Sequence, residues 1–296
     1  MANTVDLTSM SEYIRQNADE LFVKSTIAPS LDYIDIMLNV KGKEALNYLD
    51  SEVVLQGGSC GWNPQASDFF SQRFIQVHPV VVEKEFCYFD FQHYVSNEHM
   101  KFQAGLETLG SWEEKIALSN VEAIRKAVDE MVWKGNSGAS VTGLLADAAE
   151  ASAATVSFAS GDTTIAKVDA LVAAITPEML SKGVNIYMSF TDYRNYVLES
   201  NGTCCAGRPV LDAASSEIVY ASDSRIRLIP MLGLENTGKI VAATKLALVY
   251  ATDIDGSETA YRWTFDEKEN KFLFYVLFAA GTAIRFPDEV IVGSAE

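Results

Sequence analysis

The chain has 296 residues, 48% of them hydrophobic and 10% aromatic, enough apolar content to bury a core and too much for a disordered chain. Its 23 Lys and Arg stand against 40 Asp and Glu, a net charge of −17. That balance argues against tight direct binding to nucleic acid, which needs a basic face, and suits either solubility at high copy number or the lining of a container that must not adhere to a polyanion.

Residues 9–26 predict a helix, with Ser9 or Ser11 as cap and Tyr13, Ile14, Leu21 and Phe22 as apolar positions. Pro29, an apolar run over 31–40 and Gly42 follow. A lone helix of this kind suits an arm that packs outside its own core. Residues 46–55 then read as a strand, 57–64 as a turn-rich tip (Gly-Gly-Ser-Cys-Gly-Trp-Asn-Pro), and 69–82 as extended again. This is the pattern of a long hairpin. Its weak alternation predicts that neither face is buried by its own chain, so the hairpin awaits a partner.

Residues 111–134 give the clearest helix. Ser111 and Glu114 form a capping box, and Ala117, Val121, Ile124, Val128 and Met131 place one apolar stripe toward a core. Gly135 is positioned to end it. At ~1.5 Å per residue the helix is roughly 35 Å long, enough to serve as a domain's backbone. Gly135, Gly138 and Gly143 mark a loop, and the Ala-rich stretch up to residue 160 is weakly determined. Residues 164–180 are helical with a break at Pro177, and Gly183 stops them. A strand over 185–190 and a helix over 191–198 complete a helix–strand–helix order, the mark of an α/β layer. Strands dominate thereafter, over 217–221, 225–231, 243–252, 261–265 and 271–278, with turns at Asp255-Gly256 and 266–270. The apolar run 272–284 is shorter than the ~20 residues a membrane-spanning helix needs and reads as a buried strand.

No motif points to catalysis. The glycines at 135, 138 and 143 follow a helix and lack the Lys-Ser/Thr ending of a phosphate loop, so they make a turn. His78, His93 and His99 with Cys87 lack the paired cysteines of a structural zinc site and are expected to be structural. Cys60, Cys87, Cys204 and Cys205 show no CxxC spacing, and with no secretory signal at the N-terminus a reducing cytosol is the expected compartment. Asp253 and Asp255-Gly256 are half an EF-hand loop, better read as a hairpin turn. Carboxylate pairs such as Glu83/Glu85 and Glu113/Glu114 are expected in so acidic a chain and read as solvated.

The order of elements carries more than any motif. Residues 73–80 (Arg-Phe-Ile-Gln-Val-His-Pro-Val), 85–90, 132–136, 186–190 with 192–196, 230–234, 240–244, 248–253 and 281–287 with 290–292 together resemble the major capsid proteins of tailed bacteriophages. Encapsulins and the herpesvirus capsid floor share that fold. The resemblance implies an α+β chain in four parts. An N-terminal arm takes 1–43 and an extended loop 44–84. A peripheral domain takes 85–140 and 271–296, with its spine helix at 111–134, and an axial domain takes 141–270. Inter-subunit contacts are expected at Tyr13, Leu21 and Phe22 of the arm and at Trp62, Phe69, Phe70, Arg73 and Phe74 of the loop.

The function implied is a shell subunit, not an enzyme, which assembles with itself into hexamers and pentamers and then an icosahedral head around double-stranded DNA. No cofactor, metal or membrane is expected. Assembly in the bacterial cytoplasm, a separate scaffolding protein, and portal and head-decoration partners are implied, with only weak, nonspecific contact to the DNA. Lys41 and Lys43 do not match a crosslinking position at the loop tip, so no covalent crosslink is expected. Two other readings stand beside this one: an encapsulin-like compartment around a protein cargo, and a soluble α/β enzyme using the Cys204-Cys205 turn.

Overall fold

The structure is a computed structural model that describes residues 29–51, 68–87, 112–202, 210–211, 218–220, 223–253, 261–266, 268–269 and 271–295. A 3₁₀ turn at Pro29–Tyr33 leads into β1 (Asp35–Leu38), and a hairpin follows from β2 (Lys43–Ser51) and β3 (Asp68–Gln76). After β3 the chain runs on into β4 (His78–Cys87) and, further along, the spine helix α1 (Trp112–Lys134). Gly135 terminates α1 at φ 81°, the left-handed geometry that favours glycine. Two short strands, β5 (Gly135–Asn136) and β6 (Val141–Thr142), reverse the chain into α2 (Leu144–Glu150) and β7 (Ala154–Phe158).

Capping then fixes the next boundaries. In α3 (Thr164–Ala174) the Thr163 hydroxyl accepts from the Ala166 amide at 3.3 Å. In α4 (Pro177–Lys182) the Thr176 hydroxyl accepts from Met179, proline opens the first turn and Gly183 closes the last. β8 (Val184–Met188) and α5 (Phe190–Gly202) follow, then β9 (Val210–Leu211), β10 (Ile218–Tyr220), β11 (Asp223–Pro230) and a 3₁₀ turn at Leu232–Leu234. The C-terminal part is all strand: β12 (Lys239–Ala243), β13 (Leu248–Asp253), β14 (Tyr261–Asp266), β15 (Lys271–Ile284) and β16 (Val290–Ala295), with a 3₁₀ turn at Pro287–Glu289 before the last.

Two large sheets organise these pieces. One has five strands in the order β1-β13-β15-β14, with β4 on the other flank of β15; the second has seven, ordered β7-β16-β12-β8-β11-β10-β9. β15 is the hub of the first: residues 271–280 pair with β4, while its opposite edge pairs with β14 and then β13. The two partners on that edge are out of step. Asp253 faces Ala279 and Tyr261 faces Val276, so seven residues lie between the partners where β15 has only two.

The main core joins both sheets to the spine. Val121, Ile124, Val128, Val132 and Trp133 of α1 pack with Phe274, Val276 and Phe278 of β15 and with Tyr187, Ile229, Val241 and Val292 of the seven-stranded sheet. Trp133 is fully buried, and its ring centroid lies 5.2 Å from that of Tyr187. The Tyr187 hydroxyl donates to the Tyr33 carbonyl at 2.7 Å, and burial pushes its phenol well above the usual range. Buried Asp129 ties the spine to the second sheet by accepting from the Gly233 amide at 2.8 Å. A second core lies on the other face of the seven-stranded sheet, where Ile186, Leu228, Ala242 and Ile291 meet Val168 and Leu171 of α3, Met179 of α4 and Tyr196 of α5. The central strands are thus buried on both faces, which is why they read as continuous apolar runs with little alternation.

Three boundaries differ from the sequence expectation. Residues 29–40 belong to the body, not to an arm, because Leu31, Ile34 and Val40 are buried and β1 adds in parallel to β13. The strand expected over 243–252 begins only at Leu248: Ala243 ends β12, and a turn at 244–247 separates β12 in one sheet from β13 in the other. The partition between sheets also departs from a 141–270 and 271–296 division, since β13 and β14 pair with β15 while β16 pairs with β12 and β7. The expected arm helix over 9–26 lies outside the described residues.

Candidate assembly surfaces

The hairpin of β2 and β3 forms a two-stranded sheet of its own, in register from Lys43 opposite Gln76 to Ser51 opposite Asp68. Its root is buried. Leu46, Ile75 and Val77 pack with Val249, Ala251 and Ala283 of the five-stranded sheet in a third small core, which corrects the expectation that the hairpin buries neither face on its own chain. The backbones meet there closely: a Cβ on Gly281 would lie 2.2 Å from the Gln76 carbonyl oxygen.

One carboxylate clamps this junction. Asp147 on α2 accepts from the Arg73 guanidinium of β3 at 3.1 Å through one oxygen and from the Ile284 amide of β15 at 2.5 Å through the other. Their side chains are 27% exposed for Arg73 and 14% for Asp147. Desolvation raises the Asp147 pKa above the ordinary carboxylate range, against the opposing pull of the Ile284 amide and Arg73, and nearby Glu150 adds to the rise. Arg73, expected at a subunit contact, thus has a partner inside its own chain. Phe74 beside it is 50% exposed, with the Lys43 ammonium 4.1 Å from its ring centroid. Phe69 and Phe70 lie in β3 opposite Asp50 and Leu49; Tyr13, Leu21, Phe22 and Trp62 lie outside the described residues.

A second exposed surface is the face of the five-stranded sheet turned away from the spine. Along β4 the even residues from Val80 to Phe86 turn toward the core, while Val81, Glu83, Glu85 and Cys87 are exposed. Directly paired across the ladder are Val81 with Leu277, Glu83 with Tyr275 and Glu85 with Leu273. Val81 is 45% exposed, Leu273 and Leu277 each 39%. Part of this face, Glu83, Glu85, Leu273 and Tyr275, lines an open concavity of about 670 Å³ together with Arg262 and Thr264 of β14. The sequence reading of the apolar run 272–284 as a buried strand missed the exposed face of its first half; the alternation of Val81, Glu83 and Glu85 in the partner strand was the available signal.

These surfaces offer contact area and no convergent reactive groups. Among the described residues no three His, Cys, Asp or Glu side chains gather into a metal-binding group. Cys87 is exposed and unpaired with any other cysteine, and His78 lies in β4; Cys60, Cys204, Cys205, His93, His99 and Asp255 are outside the described residues. The glycines at 135, 138 and 143 form a tight turn, in which Asn136 accepts from the Gly138 amide at 2.9 Å. No helix among the described residues is long and apolar enough to cross a membrane.

No family model and no curated protein matches the chain. Solved structures do. The procapsid of satellite phage P4, including its size determination protein, aligns at TM-score 0.58 and 9% identity, over 100% of this chain and 93% of the other. The capsid of the native GTA particle aligns at 0.56 and 11% identity, covering 91% and 92%. A virus-like particle from Pyrococcus furiosus aligns at 0.51 and 10%, covering 98% and 100%. At these identities the likeness is one of fold, and it extends over nearly the whole chain: this polypeptide folds like the chains of those capsid and particle structures.

Proposed function

We propose that the protein is the major capsid protein of a tailed bacteriophage, a shell subunit without catalytic activity. The observation that carries this reading is the hairpin. Its two strands pair with each other and join neither large sheet, and at the root, where Leu46 and Ile75 are buried, the opposite face presents Phe74 to solvent. Such an element gains its remaining burial from a second copy of the chain, and the apolar strip of Val81, Leu273 and Leu277 is a receiving surface of the right character. An interface of ~1,600 Å² holds a specific complex, and each subunit in a closed shell makes several. Closure yields hexamers and pentamers and then an icosahedral head assembled in the host cytoplasm. Scaffolding, portal and decoration proteins are the further partners, and DNA is touched only weakly, in keeping with the net charge of −17.

Electron microscopy of the expressed protein, alone and with the products of neighbouring reading frames, tests this. Capsomers or closed shells are the expected result; monodisperse monomers under every assembly condition would overturn it. The likeness to the Pyrococcus furiosus particle keeps a protein-cargo compartment as the second reading. Purified shells separate the two: genomic DNA inside supports the phage head, and a co-purifying enzyme supports the compartment.

A further inference from the structure

From the junction between hairpin and body we infer that Asp147 is a charge-operated latch, whose carboxylate sets the hairpin's orientation and whose neutralisation frees the hairpin while leaving the subunit folded. This inference rests on the shell reading only for its biological use; the latch itself is a property of the single chain.

The geometry carries it. Three segments far apart in sequence converge on one side chain: Arg73 of the hairpin, Ile284 at the end of β15, and Asp147 itself on the first turn of α2. The Ile284 bond lies within the body. The Arg73 bond spans body and appendage, and it is the one of the two that needs a negative charge opposite a guanidinium. The small core at the root anchors the strands but is non-directional, so it permits tilting; a charged hydrogen bond with a defined length does not. The backbones of Gly281 and Gln76 pass so close that a Cβ on Gly281 would meet the Gln76 carbonyl, so hairpin and body touch three residues from the Ile284 amide that Asp147 holds.

The charges acting on the Asp147 carboxyl are Arg73 from the hairpin and Glu150 from its own helix. Arg285, the residue that follows β15, is paired with Asp35 at 2.8 Å. The sign of the pH effect follows. Because the folded-state pKa of Asp147 lies above its ordinary value, this group favours folding most at low pH and loses that contribution as pH rises through the folded pKa. Acidification therefore discharges Asp147 without a folding penalty from this group, while it removes the anion that holds Arg73. Hairpin release and subunit unfolding are separable.

The test is hydrogen exchange on the full-length unassembled subunit, read at the backbone amides of β2 and β3, for the wild type, Asp147→Asn, Arg73→Gln and the double variant. The amide side chain of Asp147→Asn retains an acceptor for the Ile284 amide but presents no charge to Arg73. Hairpin exchange at pH 7 is expected to rise about five- to tenfold in each single variant. The double variant is expected to match the singles, as for two ends of one interaction, and amides of α1 and β15 are expected to stay unchanged. In the wild type, hairpin exchange corrected for the intrinsic pH dependence should rise on acidification, and in Asp147→Asn it should not. Equal hairpin protection in wild type and Arg73→Gln would overturn the latch, as would a uniform rise over α1 and β15. Arg73→Gln alters a partly exposed side chain, so its result stands even where Asp147→Asn fails to fold. Microscopy of shells does not enter this readout, so failure of the latch and failure of the shell reading are told apart.

Discussion

The spine helix and the hairpin are made from similar residue types but satisfied in opposite ways. In α1, Val121, Ile124, Val128, Val132 and Trp133 find partners in both sheets of the same chain. Among the residues of the hairpin whose burial is described, Leu46 and Ile75 are buried, with Val77 just past β3, in a small core against the five-stranded sheet, while Phe74 next to Ile75 is half exposed. On the proposed shell function the difference separates two jobs: burial within the chain serves folding, and surface left uncovered at the hairpin serves association.

Substitutions in the two regions should therefore separate folding from assembly. The largest loss is expected for Trp133→Ala, at the centre of the main core and against Tyr187. Urea unfolding of the unassembled subunit should show a destabilisation of about 3–5 kcal/mol. Ile75→Ala, fully buried at the hairpin root, should cost about 2–3 kcal/mol, with the loss of protection concentrated in β2 and β3; a loss spread equally over α1 would show that root and body are one cooperative unit. Phe74→Ala is the smallest in the monomer, within about 0.5 kcal/mol, yet it should lower the yield of assembled particles in sedimentation. Normal assembly of that variant would remove Phe74 from the contact surface.

The long elements were legible in the sequence because their signals are local. The stripe from Val121 to Met131 and the stop at Gly135 located the spine, and strand, glycine-rich tip, strand located the hairpin. What was hidden depends on distant partners. Ile240 to Tyr250 is nearly all apolar, so periodicity has no means of marking the turn at which the chain leaves one sheet for the other. The burial of Leu31 and Ile34 is set by packing with a spine about a hundred residues away. Asp147 carried no local signal at all: one acid in an Ala-rich stretch acquires its role only when β3 and β15 arrive beside it. Of the contact residues expected from sequence, Phe74 is half exposed and Arg73 pairs with Asp147 of its own chain.

The mismatch opposite β15 gives the fold a place where evolution can edit freely. Alignment of β13 and β14 against β15 is fixed independently on either side of the surplus residues, so lengthening or shortening the stretch between them disturbs neither ladder. Doubling such a connection costs only about 0.6 kcal/mol in closure entropy. A peptide spliced between Asp253 and Tyr261 is therefore expected to leave both ladders in register, which hydrogen exchange of the β13 and β14 amides would show.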